Sequence, residues 1–300
     1  PFEIPFVYDG LTAATAAPSA AYLTAKGNYT NGVYWINLMT VGPTQVYCIL
    51  DTAVNGGGWM MAMKATRGTT FNYFANYWTT ANTLNPTDTT RNDGDAKFDT
   101  MNYYPAKDML ALWPDITTVG GSLSLSGYGC WCWLQNNFTS AGTFYNGGNN
   151  PVSTVAVSGI STYMTMINWF NTISTAPVSG TNSNLGARYF IQDAKTWPGW
   201  ANGVFTSQAD VRFYGYNYYN IQGDSNGTRT RWGFGWNENS SGALWPNADM
   251  GSDDVWGGIG TWGNQQYPGA TYHYSAGDGI GCCQDTNGIN RSARVEVYVR

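Results

Sequence analysis

Between Val46 and Ala65 the chain reads VYCILDTAVNGGGWMMAMKA: two strand-like apolar runs, broken by Gly56, Gly57 and Gly58 and resumed at Trp59. Glycine packs no side chain and loses more backbone freedom on folding than any other residue, so a triplet between strands is costly. It makes sense as a tight connection with close backbone approaches, the indole beyond it anchoring the core. A phosphate-cradling loop is excluded, because the segment after the glycines reads as a strand and not a helix.

The elements around this break are short. Ser19 to Lys26 predicts a helix capped by Ser19 and closed by Gly27. VYWINL (33–38) and QVYCIL (45–50) read as strands about the turn-forming VGPT (41–44), and WMMAMK (59–64) as a third. PAKDMLALW (105–113) predicts a two-turn helix stopped by Pro114, and GISTYMTMINWFN (159–171) a helix with Met164, Ile167 and Phe170 toward the core. ARVEVYV (293–299) is a strand with Val295, Val297 and Val299 on one face. Residues 1–18, where the small-residue run TAATAAPSAA (12–21) begins, predict an arm or linker, followed by one domain over 19–300. The class expected is α+β, with long Gly- and Trp-rich loops that need tethers.

Composition narrows the function. Charged residues are 11% of the chain, well below the roughly 25% of an average soluble protein, and polar uncharged residues take their place. That balance is common in secreted proteins and viral surface proteins. The net charge of -5 and a pI near 4.7 argue against a nucleic-acid partner, since no basic stripe exists to neutralise phosphates. No apolar run is long enough to span a membrane. The chain opens PFEIPFVYDG, without Met or a targeting pattern, and is expected to be a processed or truncated product. Sequons at Asn28, Asn137, Asn226, Asn239 and Asn290 suit an exposed location, although a Thr/Ser/Asn-rich chain also produces them by chance. His273 is the only histidine, which leaves no obvious Ser-His or Cys-His pair. Glutamate is scarce too (Glu3, Glu238, Glu296), so paired-carboxylate hydrolysis has little material and no enzymatic activity is expected.

Five cysteines allow at most two bridges and one free thiol. Cys130 and Cys132 lie far from Cys282 and Cys283, and neither pair has the C-x2-C spacing of zinc sites. Disulfides joining the middle of the chain to its end are the expectation, with at least one cluster in a turn. Two segments are dense in the oxygen donors calcium prefers. One is Asn92-Asp93-Gly94-Asp95, followed by Asp99; the other is Asp249, Asp253 and Asp254, with Glu238, Asn237 and Asp278 as partners. The same residues also cap turns, and both readings stand on the residues alone. Trp236, Trp245, Trp256, Trp262, Tyr267, Tyr272 and Tyr274 surround the second segment, as sugar-stacking rings or as core.

The order helix, GVYWINL, VYCILDTAVNGGGW resembles the opening of a fibrinogen-related domain, with its S-G-x-Y-x-I, V-x-C-D-M and G-G-G-W-T strands. AKFDTMNYYPAKDMLALWPDI (96–116) is similar to the intelectin branch, as are GFGWNENS (233–240), GGIGTW (257–262), SAGD (275–278) and the closing strand. The likeness covers about 60% of the chain and leaves a divergent middle, about 117–210. It implies a fibrinogen C-terminal-like, intelectin-like fold of short twisted antiparallel sheets. It also implies a calcium-stabilised lectin on a cell surface, virion surface or in the extracellular space, with glycans or glycoproteins as partners. Trp256, Trp262, Asn264 and Glu238 are then the ligand-binding candidates. Asp253, Asp254, Asp278, Asn92, Asp93 and Asp95 are the metal candidates. The family helix cysteine is missing from SAAYLTAK, which makes Cys48 the unpaired thiol. Asp253 and Asp254 stand where the family has histidines, and Asn264 where it has glutamate, so the family's sugar specificity does not transfer. The alternative is a structural subunit of a spike, fibre, filament or coat, assembling through the N-terminal arm as a homo-oligomer.

Overall fold

A computed structural model of the chain describes residues 7–27, 30–54, 56–106, 108–114, 130–135, 144–145, 151–152, 165–172, 211–219, 229–236, 254–264, 271–278, 291–292 and 294–300. In chain order the elements are α1 (Ala20–Lys26), β1 (Gly32–Leu38), β2 (Gly42–Ile49), β3 (Trp59–Ala65), β4 (Ala96–Lys97), α2 (Asp99–Tyr103), β5 (Asp108–Trp113) and β6 (Cys130–Gln135). They continue with β7 (Phe144–Tyr145), β8 (Pro151–Val152), α3 (Met166–Thr172), β9 (Val211–Tyr219), β10 (Arg229–Trp236), β11 (Asp254–Asn264), β12 (Thr271–Asp278), β13 (Arg291–Ser292) and β14 (Val295–Val299). One sheet runs β1-β2-β3-β14-β5-β6, with β4 also on β3; a second runs β13-β12-β11-β10-β9. The strand pairings are antiparallel in both, and the helices are short, as the α+β expectation requires.

Local chemistry forms α1 as the sequence implies. Ser19 Oγ accepts from Tyr22 N at 3.1 Å, and Gly27 ends the helix in the left-handed region at φ +81°. Gly56, Gly57 and Gly58 are likewise left-handed in succession, at φ +84°, +69° and +79°. A Cβ on Gly57 would stand 2.6 Å from Leu50 O, and one on Gly58 2.9 Å from Ala21 Cα in α1. The triplet thus lets the chain leave β2, pass against α1 and enter β3. Trp59 then goes into the core, fully buried, its Nε1 donating to Val54 O at 2.9 Å. Arg300 lies 4.0 Å over the indole and donates to Gly57 O at 2.8 Å, tying the last residue to the turn.

Several expectations are corrected. The helix expected over 105–113 is β5, wedged between β14 and β6, with Met109 to Leu112 buried. A short apolar run does not distinguish a buried helix from a doubly covered strand, and here the sheet decides. The hairpin turn falls at Met39 to Val41, not at VGPT: Val41 N bonds to Leu38 O, and Gly42 (φ +82°) already starts β2. On α3 the buried residues are Met166, Trp169 and Phe170; Ile167 is half-buried, and Met164 lies outside the described residues. Within the expected arm, Trp35 N donates to Gly10 O, Ala17 N to Trp35 O and Asn37 N to Ala17 O. Residues 10–17 therefore dock along β1, with Ala16 and Ala17 buried.

The long connection from β3 to β4 is fastened by two buried charges that face each other across strands. Lys64 of β3 and Glu296 of β14 are register partners. Glu296 accepts from Arg91 at 2.7 Å, Arg294 at 2.9 Å and Tyr298 OH at 2.7 Å, while Arg294 also donates to Arg91 O. Lys64 pairs with Asp88 at 2.9 Å, donates to Thr90 O at 2.8 Å and contacts Asn92 Oδ1. Buried charges are stable only when paired and hydrogen-bonded in this way, so the loop cannot lift away without exposing both.

Candidate functional site

The loop after β3 also builds a surface on the second sheet. Asn72 Oδ1 accepts from Phe74 N and Asn72 Nδ2 donates to Thr69 O, both at 2.9 Å, which fixes a turn. Ser275 N donates to Gly68 O at 2.8 Å, Phe71 N to Ser275 Oγ at 2.9 Å and Tyr73 N to Thr261 O at 3.3 Å, seating the turn on β11 and β12. Beneath it Trp78 is fully buried against Phe71 and Phe170, at ring distances of 6.0 and 4.9 Å. Gly260 makes room for that indole: its φ is +66°, and a Cβ there would be 2.7 Å from Trp78 Cζ2.

Above this layer a second group of rings faces outward. Phe74 is 52% exposed. Its ring stands at 77° to that of Trp262, 6.0 Å away, and 6.1 Å from His273. Trp262 and His273 are cross-strand partners on β11 and β12, half-buried, with rings 6.1 Å apart. Tyr73 extends the group, 5.3 Å from Phe74 and with Arg231 4.3 Å over its ring. Burial pushes His273 below its ordinary range, so the imidazole is neutral near pH 7, with one donor and one acceptor nitrogen. Flat apolar rings beside a donor-acceptor pair are what a hydroxyl-rich, partly apolar ligand meets favourably.

The candidate residues are divided by β11. Asp254 opens the strand opposite Trp236 and Asn264 closes it opposite Thr271. At about 3.3 Å per residue the two stand roughly 30 Å apart, at opposite ends. Trp256 pairs with Phe234 and Asp278 with Arg291, toward the Asp254 end. Trp262 belongs to the Asn264 end, with the ring group. Asp253 and Glu238 lie outside the described residues.

The side chains of the first acidic segment have protein partners. Asn92 Oδ1 meets Lys64, and Asn92 Nδ2 donates to Asp88 Oδ1 at 3.0 Å. Asp93 accepts from Thr66 Oγ1 at 2.5 Å; Asp95 accepts from Thr66 N at 2.9 Å and Thr70 Oγ1 at 2.6 Å. Among the described residues no group of three or more His, Cys, Asp or Glu side chains is arranged to hold a metal ion. Cys48 is a free, fully buried thiol, pushed up by burial. Cys130 and Cys132 are alternate positions of β6, opposite Trp113 and Ala111, while Cys282 and Cys283 lie outside the described residues.

Sequence reasoning reached Trp262 but missed Phe74 and Tyr73. The available signal was the ring-rich run FNYFANYW (71–78), which marks a loop that packs and not one that hangs free. Among the described residues no helix is long and apolar enough to cross a membrane.

No family model matches the chain, and no curated protein matches it. Among solved structures it is similar to the fibrinogen-like globe domain of human ANGPTL6, at 17% identity over 48% of this chain and 68% of that one. The TM-score is 0.28, a superposition too loose to carry an argument about fold or function.

Proposed function

We propose that the chain is a non-enzymatic recognition module of fibrinogen-related, intelectin-like type, displayed outside the cell or on a virion, that binds glycans through the Phe74–Trp262–His273 face. The observation that carries this reading is the half-exposed Phe74 ring set at 77° to Trp262 with the His273 imidazole beside both. A pyranose offers an apolar face for one ring and hydroxyls for the imidazole. Asn264 and Thr271 are register partners at the nearby strand ends. Calcium belongs to this reading at the other end of β11, where the sequence places Asp253, Asp254 and Asp278, residue types whose hard oxygen donors the ion prefers. There it would hold the loop ends together and make no contact with the sugar.

A glycan array, followed by titration of tryptophan fluorescence with the best binder, tests both parts. Binding that is weakened by Trp262→Ala and Phe74→Ala, and a melting temperature lowered by EDTA, are the expected results. Binding untouched by either substitution removes the ring face from the site. A melting curve indifferent to chelator removes calcium. A chain that binds no glycan on the array and sediments as a polymer is a structural subunit instead.

A further inference from the structure

Lys64, Asn92 and Asp88 form a reactive constellation away from the ring face. Lys64 is 1% exposed along its side chain, and its Nζ contacts the carboxamide oxygen of Asn92. Asp88 spans the two partners: Oδ2 is 2.9 Å from Lys64 Nζ, and Oδ1 accepts from Asn92 Nδ2 at 3.0 Å. A primary amine, a carboxamide and a carboxylate touching both nitrogens are the components of an amide exchange. The amine is the nucleophile, the carboxamide nitrogen the leaving group, and the carboxylate can move protons between them. Gly94 closes over the group, and a Cβ there would lie 3.2 Å from both Asn92 Oδ1 and Asp88 Oδ2. Thr90 O accepts from Nζ at 2.8 Å and fixes the amine from the remaining side.

We infer that Lys64 and Asn92 join in an intramolecular isopeptide bond, formed by the folded chain on itself with Asp88 as the proton carrier. Asp88 Oδ2 takes a proton from the Lys64 ammonium, and the freed lone pair attacks Asn92 Cγ. As the tetrahedral adduct collapses, the Cγ–Nδ2 bond breaks and Asp88 delivers the proton to the departing nitrogen. The new amide nitrogen sheds its surplus proton, so that one ammonium ion leaves for each Nζ–Cγ bond formed. No oxidant, metal or second substrate is required. Asn92 lies at the surface, which gives the leaving ammonia a route to water. Holding the partners in contact replaces an encounter with an effectively unimolecular step, which is how an unactivated amide becomes reactive. The bond would tie β3 covalently to the loop before β4, across a separation of 28 residues. That suits a low-charge, loop-heavy domain in which an exposed tether must survive outside the cell.

Intact-mass spectrometry of the purified full chain, after a cooperative melt has verified folding, is the test. The expected result is a mass lower than that of the sequence by one ammonia, a loss that persists through mild alkaline incubation. Digestion should then yield one branched peptide joining Lys64 and Asn92. Lys64→Met, Asn92→Ala and Asp88→Asn should each return the full mass. The wild-type measurement decides even if a variant fails to fold. A folded wild-type chain of full mass, with Lys64 and Asn92 in separate unmodified peptides, overturns the proposal. So does a mass loss that mild base abolishes by adding water and leaving aspartate for asparagine, which marks a succinimide at another asparagine.

Discussion

In the seven-stranded sheet the charged side chains turn inward: Glu296 is fully buried among Arg91, Arg294 and Tyr298, and Lys64 is buried one strand away. Around β11 of the five-stranded sheet, apolar rings turn outward, with Phe74 half exposed above Trp262 and His273. Both regions invert the usual rule of apolar inside and charged outside. Burying Glu296 fastens a loop at the expense of desolvation, so its value is structural. Exposing Phe74 forgoes burial that the fold could have used, and on the proposed reading a ligand covers it. Stability and binding should therefore separate by region, and substitutions can be ordered by how strongly they test that.

The largest effect is expected at Glu296. Glu296→Leu strips the partner from two arginines and a phenol in the interior and should destabilise by about 3–5 kcal/mol. Urea denaturation followed by tryptophan fluorescence measures this, and the remaining folded fraction should bind ligand with unchanged affinity. A loss under about 1 kcal/mol would mean that the arginines find water, as exposed pairs do, and the contrast between the two sheets would collapse.

Next come the glycines of the turn into β3. Gly57→Ala combines a left-handed backbone with a Cβ 2.6 Å from the Leu50 carbonyl, and Gly58→Ala sets a methyl against Ala21. Each should cost about 2–4 kcal/mol, from backbone strain and local overpacking together. Gly56 has only Arg300 Nη1 nearby, at 3.4 Å, so Gly56→Ala should be the mildest of the three. The same denaturation series ranks them; equal costs would show that the φ angles alone matter and the close approaches do not.

This turn was legible in the sequence because its causes are local: three glycines, a tryptophan and a capped helix all carry their own conformational preferences. β5 was not, since MLAL has no period of its own and takes its form from β14 and β6 on either side. Lys64 and Glu296 gave no sign of burial, because Lys64's partners and the Arg91 that meets Glu296 come from a loop whose return path no pattern encodes. The ring group was half legible. Trp262 stood out in a glycine-rich strand, whereas Phe74 arrives from a distant loop, brought there by bonds to Thr261 and Ser275. The acidic residues were conspicuous for their composition, yet composition could not reveal that Lys64, Thr66 and Thr70 meet them.

Binding substitutions should show the opposite behaviour to Glu296. Trp262→Ala should weaken the best glycan on the array about tenfold, about 1.4 kcal/mol. Phe74→Ala should weaken it by a smaller factor and change stability by no more than about 0.5 kcal/mol, because the ring is half in water already. Titration calorimetry paired with the urea series reads both quantities. If Phe74→Ala destabilises as much as a core substitution, the ring is scaffold, and the second sheet loses its claim to be the recognition surface.

The smallest effect returns to the first sheet and to its second buried lysine. Lys97 of β4 donates to Tyr77 O and Thr80 O, both at 2.6 Å, and has carbonyls where Lys64 has a carboxylate. Burial pushes Lys97 down from 10.5 to about 8, against the attraction of Asp99. Between those values the unfolded chain keeps a proton that the folded chain has released, so unfolding takes up protons and this group's contribution to stability rises with pH. The gain should be about 1 kcal/mol over the first pH unit above the folded value. Cys48, Tyr47 and Tyr298 are pushed upward by burial and act in the opposite direction at alkaline pH. The absolute curve therefore mixes them, and the informative quantity is the wild-type stability minus that of Lys97→Met, in which they cancel. That difference should move in favour of the wild type as the pH is raised through about 8. A difference that stays flat would mean that two backbone carbonyls and Asp99 hold an ammonium as well as water does.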